Sequence, residues 1–141
     1  MRFYLDTSLL VSALTREAAT QRMLDWIVAH LAEGLAVSWW VTTEFSAALS
    51  VKLRNHGIDL EGRSDALLSY SELIRGDVAV LPLNGQHFRM AAQLADQYAT
   101  GLRGSDALHL AVCADYGVEL CTLDKRLASA GAVLGVKTLL L

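Results

Sequence analysis

Apolar residues in this chain occur in two patterns: short continuous runs, and longer stretches that repeat about every 3.6 residues. Continuous runs at residues 3–5, 35–41, 78–83 and 118–123 read as strands, and a last one within 133–141 starts near Gly135. Helical periodicity falls between them, over residues 9–14, 18–31, 42–55, 59–75, 86–98 and 105–117, and again from Asp124. In the second of these helices Ala19, Met23, Ile27 and Leu31 form the apolar stripe, and Gly34 ends it. Gly57 and Gly76 stop the next two, and Gly62 is a candidate break within 59–75. Strands alternating with helices argue for a parallel sheet. Pro82 implies that the end of the third strand makes no ladder hydrogen bond. Trp39 and Trp40, adjacent in the second strand, should point to opposite faces and meet different helix layers.

The stretch 103–114 stands apart. A helix from Ser105 would be apolar on nearly every side, as in the middle of a domain, and Asp106 would lie in its first turn. An acid there is either a helix cap, held by free N–H groups and the dipole, or a ligand. The same device recurs. Asp6 ends the first strand at Asp-Thr-Ser, Glu44 follows Thr42-Thr43, and Asp124 follows the fourth strand. Three and four residues beyond these acids stand Leu9 and Leu10, Ala47 and Ala48, His109 and Leu110, and Leu127 and Ala128, so all four acids should face the sheet. In a parallel sheet the acids that directly follow strands share one edge, where open α/β folds bind ligands.

With 141 residues, 53% of them hydrophobic, and a single proline, the chain is expected to be one domain, 1–141, with a core of ordinary size. No apolar run approaches the ~20 residues of a membrane span, and Asp6 interrupts the only place a signal peptide would start, so a soluble, cytoplasmic protein is expected. Cys113 and Cys121 lie among apolar residues outside any metal-binding spacing, which reads as core thiols. His30 reads as structural or solvent-facing, and His87, in the first turn of its helix, as a plain surface histidine, with a phosphate contact as the alternative. A net charge of −3 argues against nucleic-acid binding by bulk electrostatics, but not against a nuclease, whose acids add negative charge that a cation offsets.

Four carboxylates held together repel strongly, so such a site raises its pKa values or binds a divalent cation. Oxygen ligands without Cys or His in the motif favour Mg²⁺ or Mn²⁺ over Zn²⁺. The motifs Leu5-Asp6-Thr7-Ser8, Thr43-Glu44-Phe45-Ser46-Ala47-Ala48-Leu49, Leu102-Arg103-Gly104-Ser105-Asp106-Ala107-Leu108-His109-Leu110-Ala111 and Thr122-Leu123-Asp124-Lys125-Arg126-Leu127 resemble, in order and spacing, those of PIN-domain ribonucleases. They most resemble the VapC toxins of bacterial toxin–antitoxin pairs.

The resemblance implies a three-layer α/β/α fold with a parallel five-stranded sheet in the order 3-2-1-4-5. It also implies Mg²⁺- or Mn²⁺-dependent endonuclease cleavage of RNA, and a VapB-like antitoxin in a homodimer or toxin–antitoxin hetero-oligomer. By family pattern Asp6, Glu44 and Asp106 hold the main metal, and Asp124 completes the site directly or through water. Thr7, Ser8 or Thr122 would orient these acids, and Arg103, Lys125 and Arg126 are the nearest cations for a phosphate backbone. The competing reading is a catalytically inactive binding module whose acids only cap helices. A dinucleotide-binding domain is excluded because no Gly-x-Gly-x-x-Gly turn follows the first strand.

Overall fold

The computed structural model describes residues 1–141. In chain order it comprises β1 (Phe3–Leu5), α1 (Thr7–Leu14), α2 (Thr20–His30), β2 (Leu35–Ser38), α3 (Trp39–Arg54), α4 (Leu60–Arg75), β3 (Val78–Leu81), α5 (Gly85–Ala95), α6 (Gly104–Tyr116), β4 (Glu119–Thr122), α7 (Lys125–Val133) and β5 (Thr138–Leu140). One-turn 3₁₀ segments occupy Leu31–Glu33 and Tyr98–Thr100. The five strands form one sheet in the order β3-β2-β1-β4-β5, and every pairing is parallel. The expected fold and strand order are therefore the observed ones.

The central strand shows why a continuous apolar run was the right signal. Phe3, Tyr4 and Leu5 alternate between the two faces of the sheet, yet all three are buried, so helices cover both sides. Phe3 meets the edge of Trp26 from α2 on one face. On the other, the Tyr4 hydroxyl reaches His109 of α6. Helix α6 is the inner helix the sequence implies: seven consecutive residues, Ala107 to Cys113, are buried. It ends at Gly117, whose φ of 65° is the left-handed conformation that turns the chain into β4.

Several boundaries differ from the sequence reading. β2 ends at Ser38, so Trp39 and Trp40 open α3 rather than finishing a strand. The parallel ladder with β3 runs only from Leu35 to Ser38, and beyond it Val41, Phe45 and Leu49 form a buried stripe at a spacing of four, which a helix satisfies and a strand does not. Trp39 is 54% exposed as a result. α4 runs through Gly62 unbroken, because the Asp59 side chain caps the helix by accepting from the Gly62 N–H at 2.7 Å. α5 ends at Ala95, short of Tyr98. The last strand contracts to Thr138–Leu140, because α7 continues to Val133 and β4 pairs only with those three residues.

His87 is not a surface residue: it is 2% exposed. It completes a capping box with Asn84, its Nδ1 accepting from the Asn84 N–H, and its Nε2 donates to Asp115 at 3.0 Å. His30 stacks on Trp26 and bonds its carbonyl. Both cysteines are buried and unpaired, and burial pushes both thiols above their ordinary range. No helix is long and apolar enough to cross a membrane.

Candidate active site at the carboxyl edge of the sheet

The chain leaves β1 toward β2 and β3 on one side and later resumes with β4 and β5 on the other, so the strand order reverses between β1 and β4. A crevice at such a reversal, beyond the carboxyl ends of the strands, is where parallel α/β sheets place their ligand sites. β1 is followed here directly by Asp6, and β4 ends in Thr122, two residues before Asp124.

Asp6 is 4% exposed and caps α1. Its Oδ1 accepts from the Ser8 hydroxyl at 2.7 Å and the Leu9 N–H at 3.1 Å, and its Oδ2 accepts from the Thr122 hydroxyl at 2.7 Å. Ser8 and Thr122 are themselves anchored. Ser8 Oγ accepts from the Leu123 N–H and Thr122 Oγ1 from the Asp124 N–H, which links β1 to the β4–α7 turn around one carboxylate. Burial dominates and holds the Asp6 pKa above its ordinary value, although the hydroxyls of Ser8 and Thr122 favour the charged form.

Glu44 is half-buried in the second turn of α3 and does not open its helix, because α3 starts at Trp39. Ala47, which the spacing placed inward, is exposed. The buried stripe of α3 runs through Val41, Phe45 and Leu49, and Glu44 sits at its margin. Two side chains hold one oxygen of this acid: Thr7 donates to Oε2 at 2.6 Å, and His109 Nε2 bonds the same atom at 2.6 Å. Burial alone would raise its pKa, but the hydrogen bond and charge of His109, with the Thr7 hydroxyl, outweigh it and hold Glu44 below its ordinary value. The indole N–H of Trp40, one turn earlier, is buried without a hydrogen-bond partner.

Asp106 lies in the first turn of α6, as expected, and its carboxylate bonds to nothing in the protein. Partial burial raises its pKa. The nearby His109 opposes that rise, while repulsion from Asp124, Glu44 and Asp6 adds to it. The fold holds all four acids at one edge against this mutual repulsion. Asp124 caps α7, its Oδ1 accepting from the N–H groups of Arg126 and Leu127 at 2.8 and 3.2 Å.

Oxygens that no protein group engages remain: Glu44 Oε1, Asp124 Oδ2 and both oxygens of Asp106. Such a set of hard, mutually repelling donors fits a divalent cation such as Mg²⁺ or Mn²⁺ in its chemistry. In their present rotamers, however, no three His, Cys, Asp or Glu side chains gather closely enough to hold an ion. Arg103, Lys125 and Arg126 are exposed around the site, and Arg126 Nη2 donates to the Gly101 carbonyl at 3.2 Å. Two clefts, of about 730 and 520 Å³, lie around the start of α4, lined by residues such as Leu53, Ile58 and Asp59. None of the four acids borders them.

Sequence reasoning overlooked His109, Tyr4 and Ser38. His109 is 2% exposed, with Nε2 on Glu44 and Nδ1 on the Tyr4 hydroxyl at 2.9 Å, and Tyr4 in turn meets Ser38 Oγ at 2.7 Å. The signal was a lone histidine on the apolar face of α6, three residues after Asp106. Its partners, on β1 and α3, are distant in sequence.

Fold and site together define a three-layer α/β domain with an acidic centre at the switch point of a parallel sheet. The chain belongs to the PIN domain family, whose profile matches residues 3–133. Among curated proteins none matches it in sequence. Solved structures share its fold at low identity. FitAcB from Neisseria gonorrhoeae is 16% identical with a TM-score of 0.70, over 96% of this chain and 95% of that one. VapBC2 from Rickettsia felis, bound to a DNA fragment from their promoter, is 12% identical with a TM-score of 0.72, over 99% and 98%. VapC20 from Mycobacterium tuberculosis, a Sarcin-Ricin loop cleaving toxin, is 16% identical with a TM-score of 0.66, over 92% and 95%.

Proposed function

We propose that this protein is a Mg²⁺- or Mn²⁺-dependent endoribonuclease that acts in the cytoplasm as the toxin of a type II toxin–antitoxin pair. The observation that carries this reading is Asp106, a carboxylate bonded to no protein group and facing three other acids. A domain whose acids only cap helices accounts for Asp6 and Asp124, which do cap, but not for Asp106 or Glu44. In the proposed site Asp6, Glu44 and Asp106 hold the metal, and Asp124 completes it. When bound, a divalent cation supplies Lewis acidity at the scissile phosphate and lowers the pKa of water.

The chain's own residues set the frame for this chemistry. Ser8 and Thr122 fix the Asp6 carboxylate in one rotamer, and Thr7 does the same for Glu44. Arg103, Lys125 and Arg126 are the cations placed to meet the RNA backbone. The likeness to VapBC2 and FitAcB supports a VapB-like antitoxin as partner, in a hetero-oligomer that can include a toxin homodimer. Asp6→Asn tests the reading: Mg²⁺-dependent RNA cleavage and growth arrest on expression are expected to vanish while the fold survives. Undiminished cleavage would overturn it.

A further inference from the structure

A buried row of side chains runs from the sheet interior to one carboxylate. Ser38 Oγ, at the end of β2, meets the Tyr4 hydroxyl at 2.7 Å, Tyr4 meets His109 Nδ1 at 2.9 Å, and His109 Nε2 meets Glu44 Oε2 at 2.6 Å. Ser38, Tyr4 and His109 are each at most 2% exposed. Core packing alone does not call for such a row. A leucine would fill the site of His109 without four polar groups having to satisfy one another.

The row also has a direction. An ionised Glu44 accepts and cannot donate, so Nε2 of His109 carries a proton and donates to Oε2 whether the imidazole is neutral or charged. In the neutral imidazole Nδ1 is then a bare acceptor, which the Tyr4 O–H satisfies, and Tyr4 in turn accepts from the Ser38 O–H. Tyr4 therefore selects the tautomer that lets His109 donate to Glu44. With Thr7 on the same atom, Oε2 is held by two donors, and Oε1 accepts no hydrogen bond within the protein.

We propose that His109, oriented by Tyr4 and Ser38, is a positioning residue that fixes the Glu44 carboxylate for divalent-metal binding. It touches neither the ion nor the RNA. The proposal rests on the metal-site reading given above. Outer residues that orient a metal ligand typically change metal affinity by about 10- to 100-fold when removed.

The test is Mn²⁺ titration of the RNA-free protein, followed by electron paramagnetic resonance of free Mn²⁺, with melting temperatures measured without metal. The wild type, D106N, H109L, H109Q and Y4F are compared. H109L is expected to bind Mn²⁺ about 10- to 100-fold more weakly than the wild type. H109Q, whose side-chain amide can reach the place of Nε2 and donate there, should recover most of that loss. Y4F should lose affinity in the same direction, by less. Wild-type affinity in H109L, or an H109Q no better than H109L, overturns the proposal. If H109L does not fold, the ordering of wild type, H109Q and Y4F decides: equal affinities in all three overturn it. Absence of Mn²⁺ binding by the wild type, with no difference in D106N, instead overturns the metal-site reading, and the proposal with it.

Discussion

At the scale of single residues, two neighbouring acids have opposite electrostatic fates. Burial raises the pKa of Asp106 and three neighbouring acids raise it further, so the folded protein binds its proton more tightly than the unfolded chain does. The sign follows: metal-free stability falls as pH rises through the raised pKa, and is regained as pH falls toward the ordinary value of 3.8. Asp6 acts in the same sense through burial. For Glu44 burial raises the pKa, but His109 and Thr7 more than offset it. Its contribution is therefore present above its ordinary value of 4.5 and is lost as pH falls below that value. Asp106→Asn is accordingly expected to raise the melting temperature of the metal-free protein at pH 7, by roughly 2–4 °C for each kcal/mol gained. It should also flatten the rise in stability as pH falls through the raised pKa toward the ordinary value of 3.8. Calorimetry across pH checks both, and a lower melting temperature at neutral pH would contradict this account of the repulsion.

At the scale of elements, the close approach of α7 to β5 is set by Gly131. A Cβ there would lie 2.2 Å from Thr138 Cγ2, 3.1 Å from Leu110 Cδ2 and 3.4 Å from the Val136 carbonyl. Alanine is intrinsically favoured over glycine within a helix, by roughly 0.5–1 kcal/mol. Overpacking costs about 1–3 kcal/mol and should prevail. Gly131→Ala is expected to be net destabilising in urea unfolding. Adding Thr138→Ser should recover part of the loss, because serine lacks Cγ2 yet keeps the hydroxyl that donates to the Ala128 carbonyl. Two independent, additive losses would show that the contact does not limit the packing.

Element boundaries show where a linear reading stops working. Strong β-formers at residues 39–41 extended the second strand on paper, but no ladder partner exists beyond Ser38, and the spacing of Val41, Phe45 and Leu49 prevails. The same shift moved Glu44 from a helix start to a second turn without removing it from the site. His87 was misplaced for a related reason. Its burial depends on Asp115 and Tyr116 of another helix, which no local pattern contains.

At the scale of the whole molecule, a folded state with four acids at one edge should be stabilised by any cation that binds it alone. Saturating Mn²⁺ at a hundredfold excess over its Kd is expected to add about 2.7 kcal/mol to unfolding stability, read as an upward shift in melting temperature. No shift would favour the capping-only reading of these acids.

The linear order of residues determined the alternation of strands and helices, the inner character of α6 and the identity of the four acids. Each of these depends on local periodicity or on a residue type standing next to a strand end. Tertiary structure decided which of them meet. Only the packing of β1, α3 and α6 puts Tyr4 and His109 behind Glu44, pairs Asp6 with Thr122 across the β1–β4 crevice, and leaves Asp106 without a partner. Those contacts span 65 to 116 positions of sequence, and hydrogen bonds of that range depend on the path of the chain in space.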